Sequence, residues 1–208
     1  MAEVLVPDGR GPLVAGVVDT LERAGHRVHT CLEGSDDEGC RQLVDSSCPL
    51  DIAPVDVAVE VGPSPAASLD NGALCAVRRR IPLVLADPPI GHPLETWASR
   101  TTPASGVAAA VADVLERPLP DHSDAARRAL LHELRGHGRS SDLASVEVFR
   151  HPGRLLIELS HEPAMSHTEA ERIATHVTQA VRDFDRWAPK VDVTVRPAGA
   201  PVHGTLAG

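Results

Sequence analysis

The chain has 208 residues, of which 42% are hydrophobic and 24% are charged, a composition typical of a globular protein with one large or two small domains. A net charge of −9 and only two Trp and two Phe, with no Tyr, argue against nucleic acid, which needs basic side chains and stacking rings. No apolar run approaches the ~20 residues that span a bilayer and no signal-peptide pattern opens the chain, so we expect a cytoplasmic protein without membrane insertion.

The first half of the chain alternates strand and helix signals. Apolar runs of strand length are separated by segments long enough for a helix, such as LVAGVVDTLERAG after Pro12 and the alanine-rich SGVAAAVADVLERP. Strands separated in this way join through right-handed crossovers into a parallel sheet. We therefore predict a flavodoxin-like α/β domain over residues 1–118, with four strands in the order 2-1-3-4. The predicted strands are residues 4–6, 26–31, 55–61 and 81–87.

The second half follows a different pattern. After a proline-rich boundary at 117–124 come a helix (AARRALLHELRGHG), two alternating strands (SVEVFR and RLLIELS), a second helix and the strand KVDVTVRP. This α-β-β-α-β order predicts a small α+β domain of ferredoxin-like type over 119–198, in which two helices cover the apolar face of a three-stranded sheet. Residues 199–208 have no periodicity and are expected to form a loose tail.

The segment HEPAMSHTEAERIATHV, residues 161–177, concentrates three histidines and three glutamates. Ser166 and Glu169 have the spacing of a capping box, which predicts that a helix begins at His167. Glu171 would then lie one turn from His167 on the same side of this helix. The apolar stripe of the helix is predicted to contain Ala170, Ile173, Val177, Val181 and Phe184.

Two interpretations of these histidines stay open. One is a divalent-metal site of His161, His167 and Glu171, because His167 and Glu171 supply two ligands and zinc needs a third from elsewhere in the protein. The other is an ordinary capped helix with solvated flanks. We favour the capped helix because His176 would lie about 180° around the axis from His167 and could not bind the same ion.

The motifs of residues 144–197 run as a strand, the turn HPGR, the strand RLLIELS, the helix SHTEAERIATHVTQAV and the closing strand VDVTVRP. This pattern resembles the cytoplasmic domain of cation diffusion facilitator transporters. The resemblance implies the same small fold and a homodimer. At two positions where that family commonly has histidines, this chain has Glu171 and Arg196, and an arginine would repel a cation. The departure argues against metal binding, and the lack of a membrane-spanning segment argues against transport.

Acidic residues follow the strands of the predicted parallel sheet. Asp8 comes after the first strand, Glu60 at the end of the third and Asp87 after the fourth, with His92 in the next loop. Because ligands of open parallel sheets bind beyond the carboxyl ends of the strands, these side chains would share a crevice. They would bind a divalent cation or supply a general acid and base, while Arg10, before a helix N-terminus, would help to hold an anion. The alternative is that the aspartates are turn residues with structural roles.

The strand–helix order and the phrase RRRIPLVLADP resemble a response-regulator receiver domain. Asp8 matches one of the acids that follow the first strand in that family. Val61 stands where a receiver has its phosphoacceptor aspartate, and Ala86 where it has a threonine or serine. The receiver's lysine is also missing, because the sequence predicts no fifth strand to carry it. The likeness is therefore to a degenerate receiver, or pseudo-receiver, that is not phosphorylated by the usual route.

These patterns together predict a non-catalytic sensory or interaction module whose ligand is not identified by the sequence. No GxSxG nucleophile motif occurs. The second domain would form a homodimer through its open sheet face, where Phe149 and Leu156 stand among Glu147, Glu158 and Thr194. The alternative is a small-molecule enzyme or a divalent-metal-binding protein that uses the carboxylate cluster of the first domain.

Overall fold

The first half of the chain builds a five-stranded parallel sheet in the computed structural model. The structure describes residues 1–7, 11–31, 48–62, 72–139, 144–161, 166–188 and 190–197. Contacts divide the chain into two units: Met1–Arg117 with Arg150–Arg154 form the first, and Pro118–Phe149 with the described residues from Leu155 onward form the second. No helix within the described ranges is long and apolar enough to cross a membrane.

The strand order of the parallel sheet agrees with the prediction for the first four strands. The strands are β1 (Glu3–Val6), β2 (Arg27–Thr30), β3 (Val57–Val61), β4 (Leu83–Ala86) and β5 (Ala98–Thr102). They lie in the order β2-β1-β3-β4-β5. The helices of this unit are α1 (Pro12–Arg23), α2 (Pro49–Ile52), α3 (Gly72–Arg78) and α4 (Val107–Glu116), with 3₁₀ turns at Glu95–Trp97 and Ala104–Gly106.

The strand β5 shows that the prediction of four strands was wrong. It runs parallel to β4, with Ala98 beside Leu83 and Thr102 beside Ala86. Its sequence, ASRTT, contains no large apolar residue, and its three middle residues are exposed at the edge of the sheet. Backbone hydrogen bonds to β4 hold this strand in place with little burial of side chains, so hydrophobic periodicity could not reveal it.

Alternating side chains give the parallel sheet two buried faces. On the first face, Val57 and Val59 share a core with residues of α1 and α4. On the second face, Ala58 and Leu85 share a core with residues of α2 and α3 and with Leu94 of the β4–β5 connection. Because both faces are covered, the central strands are almost continuously apolar, as the sequence indicates.

The second unit is a three-stranded mixed sheet with two helices on one face. Its helices are α5 (Pro120–Gly136) and α6 (His167–Phe184). Its strands are β6 (Ser145–His151), β7 (Arg154–His161) and β8 (Val191–Pro197), apart from Arg150–Arg154 at the β6–β7 turn, which belong to the first unit. The strands lie in the order β6-β7-β8, and β7 and β8 are parallel. Leu130 of α5 and Val177 of α6 share a core with Leu155 and Ile157 of β7. The α-β-β-α-β order of elements is therefore confirmed, and the sheet face away from the helices is called the open face below.

Candidate functional site

The carboxyl edge of the five-stranded sheet contains the strongest candidate site. The chain runs from β1 to a neighbour on one side, β2, and then to the neighbour on the other side, β3, so the winding direction reverses between β1 and β3. Ligands of open parallel sheets bind in the crevice beside such a switch point. Of the residues predicted for this edge, Asp8 and Arg10 lie outside the described residues, whereas Glu60, Asp87 and His92 are placed.

Glu60 is a buried acid near the carboxyl end of β3, with 4% of its surface exposed. It pairs with Leu85 of the neighbouring strand and alternates with Ala58, and both of these residues belong to the second-face core. Because paired residues of neighbouring strands project from the same side of a sheet, the Glu60 side chain lies on the second face.

Asp87 has a structural role at the end of β4. Its backbone has a φ of 50°, and its N–H donates to the Thr102 carbonyl at 2.9 Å. Its Oδ2 accepts a hydrogen bond from the Ala104 N–H at 3.1 Å, and Ala104 packs against the first-face core. The Asp87 carboxylate therefore binds the backbone of the segment that follows β5, and the Glu60 side chain lies on the second face.

His92 is a second buried polar residue of the first unit. It belongs to the connection between β4 and β5 and is 4% exposed. Its Nδ1 accepts a hydrogen bond from the Leu94 N–H at 3.2 Å, and Leu94 is part of the second-face core. The first unit thus buries a carboxyl group near the end of β3 and an imidazole in the connection after β4, polar groups of the kind that orient a small ligand.

The histidine-rich helix α6 begins with the predicted capping box. Ser166 Oγ accepts from the Glu169 N–H, and the Glu169 carboxylate accepts from the Ser166 N–H at 3.0 Å. Arg139 also donates to both carboxylate oxygens of Glu169, each at 2.8 Å. Together with the Ser166 N–H, the Arg139 guanidinium lowers the pKa of Glu169 to about 2. The cap and its ion pair account for the polar start of the helix.

The three residues predicted as a metal site have separate surroundings. His167 and Glu171 lie 3.2 Å apart on the exposed side of α6, whereas His161 is buried at the end of β7. His176 contacts Glu133 of α5 instead, with 2.5 Å between Nδ1 and Oε1. Within the described ranges, no group of three or more His, Cys, Asp or Glu side chains is arranged to hold a metal ion.

Two buried aspartates that the sequence did not indicate are hydrogen-bonded over long sequence separations. Asp185, which follows α6, has its Oδ2 3.0 Å from Nε2 of His122, 63 residues away. Asp56 accepts from the N–H groups of Glu3 and Gly153 within the first unit. No local motif relates such distant partners, so sequence patterns give no signal for either aspartate.

No protein-family model matches the chain, and a search of curated proteins also finds no match.

Proposed function

We propose that this protein is a non-catalytic sensory or interaction module with one ligand site and one self-association surface. The first unit would be a flavodoxin-like pseudo-receiver domain that takes a small ligand at the carboxyl edge of its sheet. The second would be a ferredoxin-like domain of the cation-efflux type that forms a homodimer. The strand order β2-β1-β3-β4-β5 and the α-β-β-α-β order of elements support these assignments.

The observation that carries the ligand site is the burial of Glu60, near the carboxyl end of β3, and of His92, in the connection that follows β4. Polar side chains this deeply buried usually serve a hydrogen-bond network or a ligand. Val61 and Ala86, which pair at the ends of β3 and β4, offer no group that a phosphoryl transfer would need. Binding without covalent chemistry is therefore the function that this edge supports best.

Ligands of this site are expected to raise the melting temperature of the full chain, and Glu60→Gln is expected to reduce that rise. A ligand that binds only the folded state at 100 times its Kd adds about 2.7 kcal/mol of stability. The measurement is differential scanning fluorimetry of wild type and variant with a panel of amides, carboxylates, phosphates and divalent cations.

The matched control for this experiment is Glu22→Gln, because Glu22 is an exposed glutamate of α1 and lies in neither of the two proposed sites. It should respond to every compound as the wild type does. A panel that leaves the wild-type melting temperature unchanged, or that shifts wild type and Glu60→Gln equally, would contradict the proposal. Chemical conversion of a bound compound would favour the alternative, a small-molecule enzyme.

The open face of the second unit supports the proposed homodimer. Phe149 and Leu156 are partly exposed there, and Leu156 stands beside Asp192 of β8. Arg196 approaches Glu158 at 3.5 Å on the same face. Apolar residues that alternate with charges of both signs form a surface that can complement a second copy of itself around a twofold axis.

Replacing Leu156 with Glu is expected to convert the dimer into a monomer, because the interface would then have to bury an unpaired charge. Light scattering coupled to size exclusion measures the mass of the full chain, which is 22.0 kDa for one copy. Arg128→Glu, which also introduces a glutamate but on the exposed side of α5, should leave the dimer intact. A wild-type mass of one chain at high concentration would rule the homodimer out.

A further inference from the structure

We infer that His92 donates a hydrogen bond from Nε2 to the bound ligand, and that this ligand is a small uncharged molecule with a carbonyl or amide oxygen. The inference rests on the proposed ligand site at the carboxyl edge of the first sheet, and it assigns both a binding residue and a ligand class to that site. Three features of His92 support it: a ring held in one orientation, a defined tautomer and a buried donor without a partner.

Backbone hydrogen bonds on both sides hold His92 in one orientation. The His92 N–H donates to the Pro89 carbonyl at 3.2 Å, across a turn in which Gly91 has a φ of 76°. The His92 carbonyl accepts from the Glu95 N–H at 3.0 Å, and the ring accepts from the Leu94 N–H at 3.2 Å. A side chain positioned in this way is preorganised, which lowers the entropic cost of binding a ligand.

The Leu94 hydrogen bond determines the tautomer of the His92 ring. An N–H donor occupies the Nδ1 lone pair, so the single proton of the neutral imidazole must be on Nε2. The Nε2 atom therefore presents a donor on the side of the ring away from Leu94. A nitrogen that holds a proton has no lone pair for a metal ion or for a proton from a substrate, so His92 serves neither as a ligand of a cation nor as a general base in this state.

The Nε2 donor is buried and has no hydrogen-bond partner among the described residues. With His92 only 4% exposed, such a donor is a rare and destabilising feature of a protein interior. An oxygen acceptor on a ligand would satisfy it, so the binding free energy includes the recovery of this hydrogen bond. The donor thus favours ligands that carry an accessible oxygen.

The charge of the protein selects among oxygen acceptors. The whole chain has a net charge of −9. A carboxylate or phosphate ligand would be repelled by this excess of negative charge. A neutral carbonyl or amide oxygen accepts the same hydrogen bond without that repulsion, which makes it the expected partner of His92.

Acetamide and sodium acetate, a matched pair of neutral and anionic acceptors, test the inference on the full ¹⁵N-labelled chain. Long-range ¹H–¹⁵N spectra should show His92 as the Nε2–H tautomer, and the Nε2 resonance should shift with acetamide more than with acetate. His92→Asn keeps an acceptor for the Leu94 N–H but removes the Nε2 donor, so it should weaken acetamide binding about tenfold or more. His92→Gln retains a donor near the Nε2 position and should keep more of the affinity than Asn.

Several outcomes would overturn the inference. Spectra of the wild type that place the proton on Nδ1, or solvent exchange at Nε2–H as fast as at the exposed His167, would show that no shielded donor exists. Equal acetamide binding by wild type and His92→Asn would also contradict it. If the compound panel yields a ligand that His92→Asn binds unchanged, the inference fails while the proposed ligand site stands. If no compound binds the wild type, the proposed site itself fails.

Discussion

Asp185→Ala is expected to lower the free energy of unfolding by about 3 kcal/mol, because it leaves buried donors without acceptors. Asp185 is 1% exposed, and its two oxygens lie 3.0 Å from His122 Nε2 and 3.0 Å from the Trp187 backbone N. His122 is 3% exposed and packs edge-on against Phe184, with ring centroids 5.1 Å apart. Loss of the carboxylate therefore disrupts the contact between the start of α5 and the end of α6.

Urea unfolding of the single variants His122→Ala and Asp185→Ala and of the double variant measures this effect. The double variant should lose less stability than the sum of the two single losses, with a coupling of about 1–3 kcal/mol, because the residues form one buried hydrogen bond. Asp183→Ala is the control, because Asp183 is exposed and accepts a hydrogen bond from the Gln179 side chain at 2.7 Å. This substitution should lower the free energy of unfolding by about 0.5 kcal/mol or less. Additive losses at His122 and Asp185 would show that the pair does not stabilise the second unit.

Asp56→Ala is expected to cost about 2 kcal/mol at neutral pH. The Asp56 carboxylate accepts hydrogen bonds from the Glu3 N–H at 2.9 Å and the Gly153 N–H at 3.0 Å, and the Asp56 N–H donates to the Glu3 carbonyl at 2.8 Å. Alanine keeps the backbone bond but leaves two N–H groups without acceptors. Asp19→Ala, at an exposed position of α1, is the control and should change stability by about 0.5 kcal/mol or less.

The stability that is lost when alanine replaces Asp56 should also depend on pH. Burial raises the pKa of Asp56 above its ordinary value of 3.8, outweighing the Glu3 and Gly153 N–H groups and Arg150, which lower it. Between the ordinary pKa and the raised pKa, the folded state binds more protons than the unfolded state. The stabilisation that comes from proton binding at Asp56 is therefore full below the ordinary pKa and is lost as the pH rises through the raised pKa. Urea unfolding at about pH 4 and about pH 7 should therefore show a larger difference between wild type and Asp56→Ala at the lower pH. A difference that grows with rising pH would contradict this expectation.

Elements with strong local signals were predictable from the sequence. The capping box at Ser166 and Glu169 identified the start of α6, and the apolar stripe through Ile173, Val177 and Val181 is the buried side of that helix. Strand-length runs likewise identified the first four strands of the parallel sheet, of which β1, β3 and β4 are the inner ones, and their order was predicted correctly. The cap and the apolar stripe depend on residues within a few helical turns, and a buried strand depends on its own apolar residues. The spacing of residues along the sequence therefore predicts these elements.

The sequence alone determined the alternation of elements, the burial of the inner strands and the capped helix of the second unit. Only the tertiary structure decided that ASRTT is a strand, that Asp87 accepts a hydrogen bond from the Ala104 N–H, and that His92 has a buried Nε2. The physical reason is that edge pairing, capping by a distant side chain and burial of a polar atom all depend on groups far apart in the chain. Hydrophobic patterning carries no information about which of those groups will meet.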